Sequence, residues 1–226
     1  MSSHATSRTS FDRELRTLRD QVLVLGSMVE NAIVKSMDVL VRRDLKESSR
    51  VVQDDDLIDK KRFEIEERCI DLMATQQPMA GDLRVLIAIL HISVELERMG
   101  DYAEGIGRIS LMMGEEGTLK PLLDIPRMAD RAVAMLRRSL DAFVARDTEI
   151  ARRVCDEDDE VDALYDQVYR ELLTYMIEDP ATIRKATYLL WVAHDLERIA
   201  DRATNVAERA IFLATGQLTE VNVSKY

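Results

Sequence analysis

Apolar residues recur at alternating three- and four-residue steps through nearly the whole chain. Leu15, Leu18, Val22, Leu25 and Val29 form one such run, and Val51, Ile58, Ile65, Cys69 and Leu72 form another. This spacing lines one face of an α-helix. It predicts helices over about 11–44, 46–75, 81–113, 126–146, 148–177 and 180–215. Pro78 and Gly81 punctuate the second break. The stretch 114–126, with two glycines and two prolines, is the main interruption. The expected organisation is a mobile tail at 1–10, a three-helix unit at 11–114, a linker at 115–125, a second three-helix unit at 126–215 and a tail at 216–226.

The two units repeat each other. Shifted by 103 residues, Ser36, Asp38, Arg43, Asp44, Asp55, Asp56 and Asp59 fall on Ser139, Asp141, Arg146, Asp147, Asp158, Asp159 and Asp162. Further on the shift is 100: Arg84, Leu90, Leu96, Glu97, Arg98 and Asp101 fall on Arg184, Leu190, Leu196, Glu197, Arg198 and Asp201. The change of shift lies in a loop, where length costs little. A period this long exceeds a solenoid repeat and fits two up-down-up bundles. The fold class is all-α: two tandem, pseudo-symmetric three-helix bundles.

Carboxylates interrupt the apolar lines. In the third helix one line reads Leu83, Ile87, Leu90, Val94, Glu97, Asp101, beside a second of Ile89, Ile92, Leu96, Met99, Ala103 and Ile106. The sixth helix repeats the device with Glu197 and Asp201. The first line therefore reads as a core stripe that ends in acids. The second and third helices of an up-down-up bundle are antiparallel, so Asp55 and Asp59 can face Glu97 and Asp101. Asp158 and Asp162 can likewise face Glu197 and Asp201. Two unit charges about 4 Å apart cost on the order of 4 kcal/mol at an effective dielectric of about 20. Protonation, arginine pairing or bound cations must offset that cost. An all-oxygen ligand set favours hard cations, with Mg²⁺, Mn²⁺, Ca²⁺ and iron as candidates, and Zn²⁺ a further one. The competing reading is a salt-bridged acidic surface, since Arg98 and Arg198 stand beside the key glutamates. Asp38 and Asp141 read as solvated helix positions, His194 as a packed or hydrogen-bonded histidine, and His91, matched by Trp191, as core.

Composition narrows the classes. Gly (8) and Pro (4) are scarce among 226 residues, which argues for few turns and against a many-stranded sheet. The charge is −11, from 31 Lys+Arg and 42 Asp+Glu, so no basic footprint for nucleic acid dominates. The longest apolar run, Val85 to Leu90, is far shorter than the roughly 20 residues of a membrane span. The first ten residues lack the apolar stretch of a secretory signal, and Cys69 and Cys155 form no motif. A cytoplasmic protein with buried thiols is expected. No Glu-x-x-His, Walker loop or dinucleotide fingerprint occurs, and no nucleophile spacing of Ser, Cys and His.

The motifs Leu96-Glu97-Arg98-Met99-Gly100-Asp101 and Leu196-Glu197-Arg198-Ile199-Ala200-Asp201 resemble those of the PhoU family. So do the acidic segments Asp54-Asp55-Asp56-Leu57-Ile58-Asp59 and Glu157-Asp158-Asp159-Glu160-Val161-Asp162. The resemblance covers about residues 10–215. It implies a non-enzymatic cytoplasmic adaptor of phosphate-starvation signalling. Its partners would be the ATPase subunit of the phosphate ABC transporter and a membrane sensor histidine kinase, with contact to the membrane only through them. A homodimer is a further expectation. The family's metal motifs would place ligands at Asp55, Asp59, Glu97, Asp101, Asp158, Asp162, Glu197 and Asp201, with Asp56 and Asp159 as near alternatives. The second repeat continues Asp201-Arg202-Ala203-Thr204-Asn205, close to the family pattern. The first reads Asp101-Tyr102-Ala103-Glu104-Gly105, without the Asn, so the two sites can differ. A metal-dependent enzyme or metal-storage bundle using the same carboxylates is the rival from another class.

Overall fold

A computed structural model describes residues 2–115, 119 and 124–218, with the side chains of 2–9 left aside. Among these residues there are six α-helices and no strand: α1 (Ser2–Arg42), α2 (Leu45–Gln76), α3 (Ala80–Met113), α4 (Asp124–Ala145), α5 (Thr148–Glu178) and α6 (Ile183–Thr215). A 3₁₀ turn, Pro180–Thr182, leads into α6. The first helix reaches back to Ser2, through the stretch expected as a tail, because nothing in that segment breaks a helix. The expected linker at 115–125 lies mostly outside the described residues, as does the C-terminal tail beyond 218.

Helices α1, α2 and α3 pack on one another, and so do α4, α5 and α6. The two bundles join along α3 against α6 and α1 against α4. This makes α3 and α6 the central helices, each covered by its own bundle and by its counterpart. Ile89, Ile92, Leu96, Met99, Ala103 and Ile106 of α3 are wholly inaccessible, as are Val192, Leu196, Ile199, Ala203 and Val206 of α6. The close approach of α1 and α4 uses Gly26, where a Cβ would stand 2.4 Å from Leu140 Cδ1.

The repeated identities have local jobs. Arg43 and Arg146 adopt the left-handed conformation, with φ of 59° and 53°, and so turn the chain between helices. The aspartates that follow are N-caps: Asp44 accepts from the Glu47 N–H at 3.0 Å, and Asp147 from those of Glu149 and Ile150 at 2.8 and 3.1 Å. Ser36 and Ser139 are buried and donate to the carbonyls of Ile33 and Leu136, both at 2.8 Å. Each hydroxyl is thereby satisfied without a tertiary partner.

One expectation is corrected. The line Leu83, Ile87, Leu90, Val94, Glu97, Asp101 is not a core stripe. Leu83 and Asp101 are exposed and the rest half-buried. Because α3 is covered on two sides, apolar residues spread over more of its surface than one stripe, and this line runs along the margin. On α2, Phe63 and Ile70 likewise stand out to solvent. His91 and Trp191 are also exposed rather than core, with Trp191 leaning on Tyr188 at a ring separation of 5.7 Å.

Candidate metal centre

The marginal lines of α2 and α3 meet near the end of the first bundle. Asp55 and Asp59, one turn apart on α2, face Asp101 on α3. Each offers one oxygen, and the three oxygens lie within 4.8 Å of one another. Among the described residues this is the set with that geometry. Gly100 makes the approach close: a Cβ there would stand 3.1 Å from Asp55 Oδ1 and from Ile58. Glu97 lies one turn before Asp101 and interacts with both Asp101 and Asp59. Glu104, not among the sequence-predicted ligands, faces Asp55 from one turn further along α3. Its signal was its position three residues after Asp101, opposite Thr204 in the other repeat.

The electrostatics are those of an uncompensated site. Burial pushes Asp55 up to about 7, with the carboxylates of Asp101, Glu104, Asp59 and Glu97 adding to the effect. Glu97 is raised by burial, Asp101 and Asp59, against the pull of Arg62 and Arg98. Asp101 is raised by burial, Asp59 and Glu104, again against Arg98. Asp55 Oδ1 and Asp59 Oδ1 are buried and have no hydrogen-bond partner. Orphaned carboxylate oxygens are costly. Arg62 and Arg98 act on the cluster only through space and leave these two oxygens without a direct partner, so the donor set fits a hard cation with oxygen ligands. A cation there would cancel the repulsion and take up the orphaned lone pairs. Beside the site, a cavity of about 210 Å³ between α1, α2 and α3 is lined by Met28, Ala32, Lys35, Asp55, Gly100 and Glu104.

The second bundle brings Asp158, Asp162, Glu197 and Asp201 into mutual influence. Asp158, 7% exposed, is the one buried charged side chain among the described residues. Burial pushes it up to about 7, with Asp162, Asp201, Glu197 and Asp159 contributing. Asp162 is raised by burial, Glu197, Asp159, Asp201 and Asp166. Here the charge is partly answered. Arg198 forks onto Glu197, with Nε to Oε2 and Nη2 to Oε1 both at 2.6 Å, and sends Nη1 to Asp201 Oδ2 at 3.3 Å. A cavity of about 310 Å³ lies alongside, lined by Asp162, Tyr165, Asp166, Tyr169, His194 and Arg198. His194 sits at its rim, half-exposed, with Nδ1 3.9 Å from Glu197 Oε2.

The near alternatives Asp56 and Asp159 are exposed where Asp55 is half-buried and Asp158 buried, and Asp159 still bears on Asp158 and Asp162. Asp38 pairs with Arg42 at 3.2 Å on the surface, and Asp141 is exposed, which removes both from the clusters. Cys69 and Cys155 are free and buried in separate repeats, and burial pushes both thiols up to about 12.

Two tandem three-helix bundles, each with a carboxylate cluster between its second and third helices, define the class: an all-α duplicated protein with acidic margins. The PhoU domain model matches residues 22–110 and 125–210, one match per bundle. The chain belongs to the PhoU family. A relative from Aquifex aeolicus, named phosphate-specific transport system accessory protein PhoU homolog, is 41% identical over 208 residues, 92% of this chain and 94% of its own. One of the same name from Rhizobium meliloti is 36% identical over 215 residues, 95% and 91% of the two chains. The crystal structure of PhoU from Pseudomonas aeruginosa superposes with a TM-score of 0.87 at 34% identity, covering 92% of this chain and 100% of that one. The phosphate transport system regulatory protein PhoU from Streptococcus pneumoniae gives 0.87 at 30%, covering 93% and 99%. Among the described residues no helix is long and apolar enough to cross a membrane.

Proposed function

We propose that this chain is a non-enzymatic accessory protein of phosphate-specific transport that holds the phosphate-starvation response off when phosphate is plentiful. It acts in the cytoplasm as an adaptor between the ATPase subunit of the phosphate ABC transporter and its sensor histidine kinase. The observation that carries this reading is the match of the PhoU domain to both bundles, together with relatives of nearly equal length named as accessory or regulatory proteins of that transport system. Its carboxylates hold divalent or iron-type cations, with Asp55, Asp59 and Asp101 as the core of the first site and Glu97 beside them. The orphaned oxygens of Asp55 and Asp59 support that part. Long helices with charged, half-exposed margins suit docking, and a cation at the α2–α3 margin would fix the two helix faces relative to each other.

The test is a binding titration of the full chain against the transporter's ATPase subunit, first with Mn²⁺ and then with EDTA. Saturable binding that weakens in EDTA supports both the adaptor and the role of the carboxylates. Binding indifferent to EDTA keeps the adaptor and confines the clusters to structure. Absence of binding to the ATPase subunit and to the kinase in both conditions overturns the adaptor.

A further inference from the structure

The two repeats treat an equivalent arginine differently. Arg98 and Arg198 each follow the motif glutamate. Arg198 lays a bidentate fork on Glu197 and reaches Asp201 with its third nitrogen. Those are the two α6 carboxylates that correspond to Glu97 and Asp101. Arg98 is exposed and acts on Glu97 and Asp101 only through space, with no hydrogen bond or ion pair found for it among the described residues. A guanidinium fork matches carboxylate geometry and is harder to displace than a point charge.

Two further differences run the same way. Buried, partnerless carboxylate oxygens occur at Asp55 and Asp59 in the first cluster, and among the described residues none is found at Asp158, Asp162, Glu197 or Asp201. Gly100 leaves Asp55 room against the backbone of α3, whereas Ala200 carries a Cβ at the matching place. The neighbours on the α2 and α5 side also differ. Arg62 pairs with Glu66, lies over Phe63 at 4.1 Å from the ring centre, and acts on Glu97 only through space. Its counterpart is Tyr165, which offers no charge, so Arg198 is the cation at hand for the second cluster.

We propose that Arg198 is a built-in counter-ion that closes the second carboxylate cluster, so that cations load at the first cluster and enter the second only by displacing this guanidinium. The inference rests on the reading of the carboxylates as cation ligands. It makes the duplicated protein a one-site binder at low cation supply, with a second, weaker site held in reserve. Replacing a bidentate, charge-assisted pair costs an entering cation about tenfold in affinity or more.

The experiment is a calorimetric titration of the full chain with Mn²⁺, backed by counting bound metal after dialysis. The wild type is expected to show one tight class of site that is lost in Asp59→Asn. Arg198→Gln is expected to add a second class, tighter by about tenfold or more than any second class in the wild type. Arg98→Gln is expected to leave the stoichiometry unchanged. Arg198→Lys keeps a charge without the fork and is expected to fall between, which keeps the idea testable where the glutamine variant folds poorly. Tight binding in the wild type with no gain in Arg198→Gln or Arg198→Lys overturns the role of Arg198 alone. Binding in neither the wild type nor the arginine variants overturns the cation reading and this inference with it.

Discussion

Replacing Asp55 by Asn removes one of the three carboxylates pushed furthest up, while keeping its shape. Its ordinary value is 3.8, and in the folded protein it stands at about 7. The folded state therefore binds a proton more tightly than the unfolded chain. Stability linked to this group is fully present below pH 3.8, falls as pH rises through the window, and is gone above about 7. A displacement of that size corresponds to about 4 kcal/mol at 1.36 kcal/mol per unit. Asp55 is only half-buried, so solvent screening reduces this to about 1–2 kcal/mol. For a chain of this length that is about 3–6 °C in Tm. Thermal melts of EDTA-treated protein at pH 5, 6, 7 and 8 provide the assay, and the difference between variant and wild type cancels groups common to both. Asp55→Asn is expected to melt higher than the wild type at pH 8, with the advantage shrinking toward pH 5. Added Mn²⁺ is expected to raise the wild type at pH 8 more than the variant. An advantage that is absent at pH 8, or that grows as pH falls, refutes the electrostatic account of the cluster.

Two further predictions concern the frame that holds the clusters. Leu96 is wholly buried on α3, between the bundles, so Leu96→Ala is expected to cost about 2–5 kcal/mol, measured by urea denaturation. Asp44→Ala and Asp147→Ala remove equivalent N-caps and are each expected to cost about 1 kcal/mol, with the double variant additive in the same assay because the caps sit in different bundles.

The fold was legible because long helices with few breakers carry the strongest periodic signal, and the duplication supplied a second copy of every inference. The bounds of α2, α3 and α5 match the expected ranges to within a residue. What periodicity did not reveal is which of several apolar lines on α3 faces inward. A helix covered by two neighbouring groups has apolar residues around most of its girth, so a line that starts with Leu83 and Ile87 looks like core while running along the margin. The pairing of Asp55 and Asp59 with Asp101 was readable from antiparallel order alone. The contrast between Arg98 and Arg198 was not, since both follow the same motif and differ only through neighbours on other helices. Glu104 and Asp195 were missed for a related reason: each owes its situation to a residue on another helix.

Asp195 shows how far the two halves have drifted along the seam between the bundles. On one side Glu95 of α3 accepts from Arg202 Nη1 at 3.3 Å and Asn205 Nδ2 at 3.1 Å of α6. A shift of 100 residues maps Glu95 to Asp195 and Asn205 to Gly105. Asp195 does lie over Gly105: a Cβ there would stand 3.0 Å from its Oδ2. The amide donor is gone and Arg202 is replaced by the uncharged Tyr102, no hydrogen bond to Asp195 is found among the described residues, and burial pushes it up to about 7. The seam thus keeps one polar latch of a symmetric pair. Gly105→Asn restores the missing donor on a helix that also favours Asn over Gly by a few tenths of a kcal/mol. The crowded atom is the tip of a flexible side chain, which can rotate to accept the new amide. A gain of about 1 kcal/mol is expected at pH 8, where Asp195 is charged, read as a rise in Tm of about 2–4 °C. The gain is expected to shrink below pH 6, where a protonated Asp195 accepts less strongly. A loss of stability at pH 8 would mean that the seam has closed around the glycine, and that the missing latch was replaced by tighter packing of α3 on α6.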